Sequence, residues 1–200
     1  MPTASRAKHK FCRRIGQCLW GDPKCPSVKR PYAAGPHGKG RRAKLSTYGE
    51  LLMEKQKLRN YYAISEKQLR IAFAKAKSGL GLTHEKLFRS LEMRLDALVY
   101  RAGFAPTIFA AKQIVNHGHI LVDGKRVDRS SCVVKEGQVI SIDAAKSPAA
   151  AEAAKKSNNV VPPYMEVDLD NLKATLVRAP QLEEIPVPVK IMSVVEYYAR

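Results

Sequence analysis

Four side chains near the N-terminus have the types and spacing to hold a metal. They follow the pattern His9-x2-Cys12-x5-Cys18-x6-Cys25. Zinc takes four N or S donors in a tetrahedron, and a structural knuckle usually supplies them as two close pairs. His9 and Cys12 have knuckle spacing. Cys18 and Cys25 lie further apart, with Gly21-Asp22-Pro23 able to turn the chain between them. Free thiols in a loop are the other reading of the same residues. The basic neighbours Arg13, Arg14 and Lys24 favour thiolate, and so favour metal ligation and redox reactivity alike. Cys132, in the β-rich run Ser130-Ser131-Cys132-Val133-Val134, reads as a small core residue. The first twenty residues contain no apolar block, so a secretory signal is not expected and disulfides are not the default.

The second chemical feature is cationic. The 200 residues carry 35 Lys/Arg against 18 Asp/Glu, a formal net charge of +17. Residues 1–60 hold 15 basic against 3 acidic residues, residues 61–146 hold 14 against 8, and residues 147–200 hold 6 against 7. Such an excess asks for a polyanion, nucleic acid before an anionic membrane surface. No apolar run approaches the ~20 residues that span a bilayer. Apolar residues make up 45% of the chain, enough for a core, so wholesale disorder is not expected.

The elements that must position these groups follow from pattern. Residues 1–45 lack a sustained apolar period and read as an extended, Gly/Pro-punctuated basic arm. Its glycines around Gly35-Pro36-His37-Gly38 allow close backbone approach to a partner. A first helix follows, with Thr47 and Glu50 at capping-box spacing and Tyr48, Leu51, Leu52, Leu58 and Tyr62 near one stripe. A second is capped by Ser65 and Gln68, buries Leu69, Ala72, Phe73 and Ala76, and stops at Ser78-Gly79-Leu80-Gly81. A third is expected to run unbroken from Thr83 to Gly103. Pro106-Thr107 opens a short helix that Gly118 ends. His119–Val127 around Asp123-Gly124 is a hairpin signal, and Val133-Val134 and Val139–Ile142 supply further strands. Residues 144–163 read as a linker. A strand is expected near Tyr164–Asp168. The final stretch, Ile191–Tyr198, favours strand or irregular structure docked on the helical domain.

Nothing points to catalysis. There is no GxxxxGK[ST], GxGxxG or HExxH, and Glu66, Glu85 and Asp96 read as helix-start or structural charges. His37, His117 and His119 sit beside glycines in basic context and suit phosphate or base contact better than acid–base work.

Arg30-Pro31-Tyr32, Gly35-Pro36-His37-Gly38, Leu45-Ser46-Thr47-Tyr48-Gly49 and Glu54-Lys55-Gln56-Lys57-Leu58-Arg59 together resemble the bacterial-type small-subunit ribosomal protein four family. Leu91-Glu92-x-Arg94-Leu95-Asp96, Val99-Tyr100-Arg101-x-Gly103-Phe104 and Gln113–Lys125 resemble that family's RNA-binding module. Pro163–Asp168 and Val195-Glu196-Tyr197-Tyr198 resemble its C-terminal motifs. The likeness runs collinearly from about residue 9 to residue 200, apart from the Ala/Lys linker.

The resemblance implies an α+β fold: a basic N-terminal arm (1–45) with a zinc knuckle in some members, a helical domain (46–91, completed by 164–200), and an inserted helix-helix-antiparallel-sheet module (92–143). It implies a non-enzymatic, cytoplasmic component of the small subunit that binds small-subunit rRNA directly. Such a protein nucleates assembly of the subunit body and influences decoding accuracy. The implied partners are rRNA, ribosomal protein five of the small subunit, and mRNA where it enters; no membrane and no small-molecule substrate is expected. An RNA-modifying enzyme that borrows the module, as pseudouridine synthases do, and a binder regulating its own message are the alternatives.

The expected RNA contacts fall into three groups. The arm and first helix start give Arg13, Arg14, Arg30, Tyr32, His37, Lys39, Arg41, Arg42, Lys44 and Tyr48. The helical face gives Lys55, Lys57, Arg59, Lys67 and Arg70, and the module gives Arg94, Lys112, His117, His119, Lys125 and Arg126. Departures from the family pattern are concentrated in the module. Thr107-Ile108-Phe109 stands where Thr-Arg-Arg is usual, so that edge is expected to face protein or to bind RNA more weakly. Lys112 replaces an arginine and loses bidentate geometry, Asp123 replaces a turn asparagine, and Gln138 stands where aspartate is common. In the knuckle, His9, Cys12 and Cys25 fall on the first, second and fourth ligand positions, with Trp20 near the third and Cys18 two residues from it.

Overall fold

A computed structural model of the chain describes residues 9–40, 44–144, 146–155 and 161–199. In chain order its helices are α1 (His9–Ile15), α2 (Pro26–Lys29), α3 (Thr47–Tyr61), α4 (Glu66–Ser78), α5 (Thr83–Glu92), α6 (Leu95–Arg101), α7 (Ile108–Asn116), α8 (Pro148–Lys155) and α9 (Ile191–Ala199). The strands are β1 (Ile120–Val122), β2 (Lys125–Arg126), β3 (Val139–Ile142), β4 (Met165–Asp168) and β5 (Lys173–Leu176). This is the expected mixture of helices and one small antiparallel sheet. No helix among the described residues is long and apolar enough to cross a membrane.

The chain divides into two units. One takes the residues through Tyr61 together with those from Val187 onward, and the other is Tyr62–Pro186. The expected boundaries differ from this, because α4 and α5 fall in the second unit and not in a helical domain with α3.

In the first unit, α3 is capped by Ser46 and not by Thr47: the Ser46 hydroxyl accepts from Gly49 N at 3.2 Å, and its carbonyl accepts from Glu50 N at 3.0 Å. Leu51, Leu58 and Tyr61 of α3 are buried. Helix α9 packs along α3 and buries Val194. The expected strand or irregular tail is therefore a helix. Its β-branched residues carry a modest intrinsic penalty, which packing and a cap offset: the Glu54 carboxylate accepts from Lys190 N at 2.9 Å, just ahead of α9. Among its described residues the arm is not extended. Cys12, Leu19 and Cys25 are buried at 0%, 2% and 1% exposure and give α1 and α2 a small core.

In the second unit, α4 begins with the capping box expected from Ser65 and Gln68. The long third helix is broken into α5 and α6. Met93 and Arg94 leave helical geometry, Arg94 bridges Val133, Val134 N donates to Met93 O at 2.9 Å and Leu95 N donates to Cys132 O at 2.8 Å. The loop at 130–134 thus takes backbone groups that an unbroken helix would keep for itself, and Val133-Val134 supplies a bridge in place of a strand. The sheet has five strands in the order β2-β1-β3-β5-β4, every pair antiparallel. Ile140 pairs with Val122 on one side and Ala174 on the other. Strands β4 and β5 thus complete the module's sheet, so only the last part of 164–200 joins α3. Residues 144–163 are not merely a linker either: α8 sets Ala150 and Ala154 into the same core as Leu98, Val99, Phe104 and Val115.

Candidate nucleic-acid interface and thiol cluster

The four sequence-selected ligands converge. The ligating atoms of His9, Cys12, Cys18 and Cys25 all lie within 4.8 Å of one another. Helix α1 places His9 and Cys12 three residues apart on one face. Gly21 turns the chain at φ +71°, Asp22 accepts from Lys24 N at 2.8 Å and from Cys25 N at 3.1 Å, and Cys25 arrives beside α1 as the residue preceding α2. Cys25 Sγ is 3.1 Å from His9 Nδ1 and 3.1 Å from Ser27 Oγ. Burial and the neighbouring Cys25 and Cys18 push the Cys12 thiol up to about 12, against a lowering backbone bond at Leu19. For Cys25, burial acts upward, but hydrogen bonds from Ser27, Cys18 and Cys12 outweigh it and lower the value. Trp20 is not part of the donor set. Its ring meets His9 edge-on at 5.9 Å, and its indole N–H donates to Tyr61 O at 3.2 Å. Three sulfurs and one imidazole are the donor types that a tetrahedral structural zinc takes, and bonds of about 2.0–2.3 Å would draw them closer together than they stand here.

The arm's cations have unequal roles. Arg13 donates to Tyr32 O at 3.1 Å and to Ala33 O at 3.2 Å, and its guanidinium lies 5.0 Å from the Tyr32 ring centroid. Lys39 approaches the same ring at 5.6 Å. Arg13 thus fixes the 30–40 loop, and Lys39, Arg14, Arg30, His37 and Lys44 are all exposed. Arg41 and Arg42 lie outside the described residues. Gly38 has a steric role of its own, since a Cβ there would sit 1.9 Å from the Ala33 carbonyl oxygen. The close approach that glycine permits here is of the arm to itself.

On α3, Lys55 is buried, with its ammonium 4.7 Å from the Tyr197 ring. Lys57 is paired with Glu54 at 2.5 Å, and Arg59 is half-buried. Tyr48 is exposed, and its hydroxyl lies 3.4 Å from that of Tyr197. That bond and the neighbouring phenol's charge raise the Tyr48 pKa. Tyr197 in turn meets Tyr198 edge-on at 5.3 Å. These tyrosines make an aromatic shelf of the kind on which bases stack. Sequence reasoning found Tyr48 but not Tyr197 or Tyr198, because the tail was not read as a helix.

In the second unit, α4 presents Lys67 and Arg70 to solvent, and Lys75 and Lys77 are also exposed. The last two were missed, although the buried Leu69, Phe73 and Ala76 already assign them to the outer side. Arg94 and Lys112 are not exposed contacts. Arg94 forms a bidentate pair with Asp96 at 3.0 and 2.8 Å and is 7% exposed. Lys112 Nζ lies 3.3 Å from the same carboxylate and donates to the carbonyls of Tyr62 and Ala63 at 3.1 and 2.5 Å. Desolvation lowers the Lys112 pKa despite Asp96. A second buried pair, Glu92–Arg101 at 2.6 Å, also receives the Tyr62 hydroxyl at 2.8 Å.

Lys125 and Arg126 are exposed on edge strand β2. Arg126 lies against Gly118 and donates to His117 O at 3.3 Å, and the His117 and His119 rings sit 5.8 Å apart. Arg129, unremarked in the sequence, is exposed nearby in the chain. Ile108 is 1% exposed, so its apolar character serves the core and not an outer edge; Phe109 is half-buried.

Comparison with known proteins agrees with this layout. Residues 4–92 match the family model described as ribosomal protein S4/S9 N-terminal domain, and residues 93–140 match the S4 domain. The chain is 48% identical over 205 residues to the small ribosomal subunit protein uS4 of Ruegeria sp. (strain TM1040), covering 100% of both chains. It is 46% identical, again over 100% of both, to the uS4 protein of Dinoroseobacter shibae. To that of Rhodospirillum rubrum it is 47% identical over 199 residues, 97% of each chain.

Proposed function

The chain belongs to the uS4 family of small ribosomal subunit proteins, and on that premise we propose how it grips its RNA. It is a structural, non-enzymatic ribosomal protein that binds small-subunit rRNA and resides with the small subunit in the cytoplasm. We infer three contact regions. The arm and α3 start contribute Arg14, Arg30, His37, Lys39, Lys44 and Tyr48; the outer side of α4 contributes Lys67, Arg70, Lys75 and Lys77; the β2 edge contributes His117, Lys125 and Arg126. Phosphate contacts from these cations set position and affinity. The observation that carries this is exposure: these cations face solvent, whereas Arg94, Lys112 and Lys55 are buried in intramolecular contacts.

We further propose that the His9/Cys12/Cys18/Cys25 cluster holds a structural zinc that stabilises the α1–α2 segment. The support is the convergence of four soft donors with burial of two of them. Nucleation of the subunit body, contact with ribosomal protein five of the small subunit, proximity to entering mRNA and an influence on decoding accuracy belong to the same proposal. The slightly acidic last quarter of the chain suits a protein neighbour better than rRNA.

Co-sedimentation tests the main reading. The tagged chain should be recovered with small subunits in stoichiometric amount and should withstand a moderate-salt wash. Recovery in the free-protein fraction would overturn it.

A further inference from the structure

The first unit contains a cleft of about 600 Å³ in which Arg14 is the one lining residue already assigned to rRNA contact. Its walls come from α1, the loop after residue 30, α3 and the start of α9. We propose that this cleft seats a single unstacked nucleotide of the rRNA; the proposal rests on the rRNA-binding reading above.

Size and chemistry both support this occupant. Sites that take one small-molecule-sized group measure roughly 300–1,000 Å³, whereas a lone phosphate or a duplex would leave such a recess unfilled. The walls include Ile15, Leu45 and Met53, against which a base face can lie. Leu45 is 46% exposed, apolar surface that a bound base would cover. Charge falls into two classes. Glu54 is satisfied within the fold, by Lys57 Nζ at 2.5 Å and Lys190 N at 2.9 Å. Arg14 and the Lys190 side chain, both exposed, have no ion pair among the described residues and are available to a phosphate. Glu50 also lines the cleft. A carboxylate would repel the RNA backbone, but it accepts well from an exocyclic base amine, as Glu and Asp do with cytosine. RNA recognition commonly splays single-stranded bases out of their stack in this way. Apolar walls, two uncommitted cations and one uncommitted acceptor in one recess suit a nucleotide better than an acidic or an apolar peptide, each of which would leave one class unmatched.

The test is filter binding of the full chain to full-length small-subunit rRNA, with three variants and a thermal-melt control. Ser193→Phe fills the cleft from α9 and should weaken binding at least tenfold without changing the salt slope. Glu50→Ala should weaken binding several-fold. The sign is diagnostic, because removing a negative charge beside a polyanion strengthens binding if no base amine meets it. Lys190→Ala should flatten the log–log salt slope by about 0.7, one single-strand phosphate contact. Wild-type affinity in Ser193→Phe, or tighter binding in Glu50→Ala, would overturn the proposal. If Ser193→Phe fails to fold, the sign of Glu50→Ala decides. A wild-type chain that does not bind rRNA would overturn the underlying reading as well, so the two failures are separable.

Discussion

Lys112 donates its ammonium to the carbonyl oxygen of Tyr62 at 3.1 Å, across 50 residues of sequence. The same nitrogen reaches the Ala63 carbonyl and the Asp96 carboxylate. Ala63 has a left-handed φ of +49°, a conformation unfavourable for a residue with a Cβ. Lys112 therefore holds the turn between α3 and α4 in place, and a charge expected to face RNA is committed to the fold.

Replacing it tests that assignment. Lys112→Met should destabilise the chain by about 1–3 kcal/mol in urea unfolding, because the Tyr62 and Ala63 carbonyls lose their donor while Asp96 keeps Arg94. The pH dependence carries a sign. Desolvation lowers the folded-state pKa of Lys112, so between that value and 10.5 the unfolded chain binds more protons than the folded one. Stability from this group therefore rises with pH across that window and is lost as pH falls through the folded-state pKa. The variant should lack that alkaline rise.

Arg94 and Lys67 should separate stability from affinity. Arg94→Ala leaves Asp96 buried without its bidentate partner, and the melting temperature should fall steeply for a loss of about 3–5 kcal/mol. The salt slope of rRNA binding should stay unchanged while the variant is folded. Lys67→Ala should do the reverse, with stability within about 0.5 kcal/mol of wild type and a slope flatter by about 0.9. An unchanged slope in Lys67→Ala would remove α4 from the interface.

Gly38→Ala should disrupt the arm. The new Cβ would meet a backbone oxygen at 1.9 Å, and a backbone atom cannot swing aside as a side-chain tip can. Limited proteolysis should cut the 30–40 loop faster, and rRNA affinity should fall. Protection equal to wild type would contradict the close packing.

Metal analysis tests the thiol cluster. Purified protein should contain one zinc equivalent, and Cys25→Ser should lose it. Zinc must displace the proton of Cys12, whose thiol is pushed up to about 12 without metal. Loading should therefore release protons, and zinc retention should fall as pH is lowered. Well under one equivalent, unchanged in Cys25→Ser, would reject the site.

Local signals were legible in the sequence. The Ser65–Gln68 capping box, the Asp123-Gly124 hairpin and the His/Cys spacing each depend on a few neighbouring residues, and each predicts the local geometry found. Non-local pairings were not legible. Nothing near Lys173–Leu176 announces that it pairs with Val139–Ser141, so the tail strands were separated from the sheet they complete. Helix α9 was hidden by β-branched residues and stands on its packing against α3 and on the Glu54 cap. For the candidate interface, residue type was visible but direction was not. Arg94, Lys112 and Lys55 look like any other cation until Asp96, the Tyr62 carbonyl and Tyr197 are found beside them. Exposure cannot be read from charge alone when a carboxylate, carbonyl or ring far along the chain is available to receive it.

The central claim is that exposed cations of the arm, α4 and the β2 edge bind rRNA through its phosphates. The salt dependence of equilibrium binding of the wild-type chain to small-subunit rRNA measures this most directly. With about 6–8 phosphates neutralised, affinity should fall roughly 10³–10⁴-fold between 50 and 200 mM salt, linearly on log–log axes. A slope near zero, with affinity unchanged across that range, would contradict it.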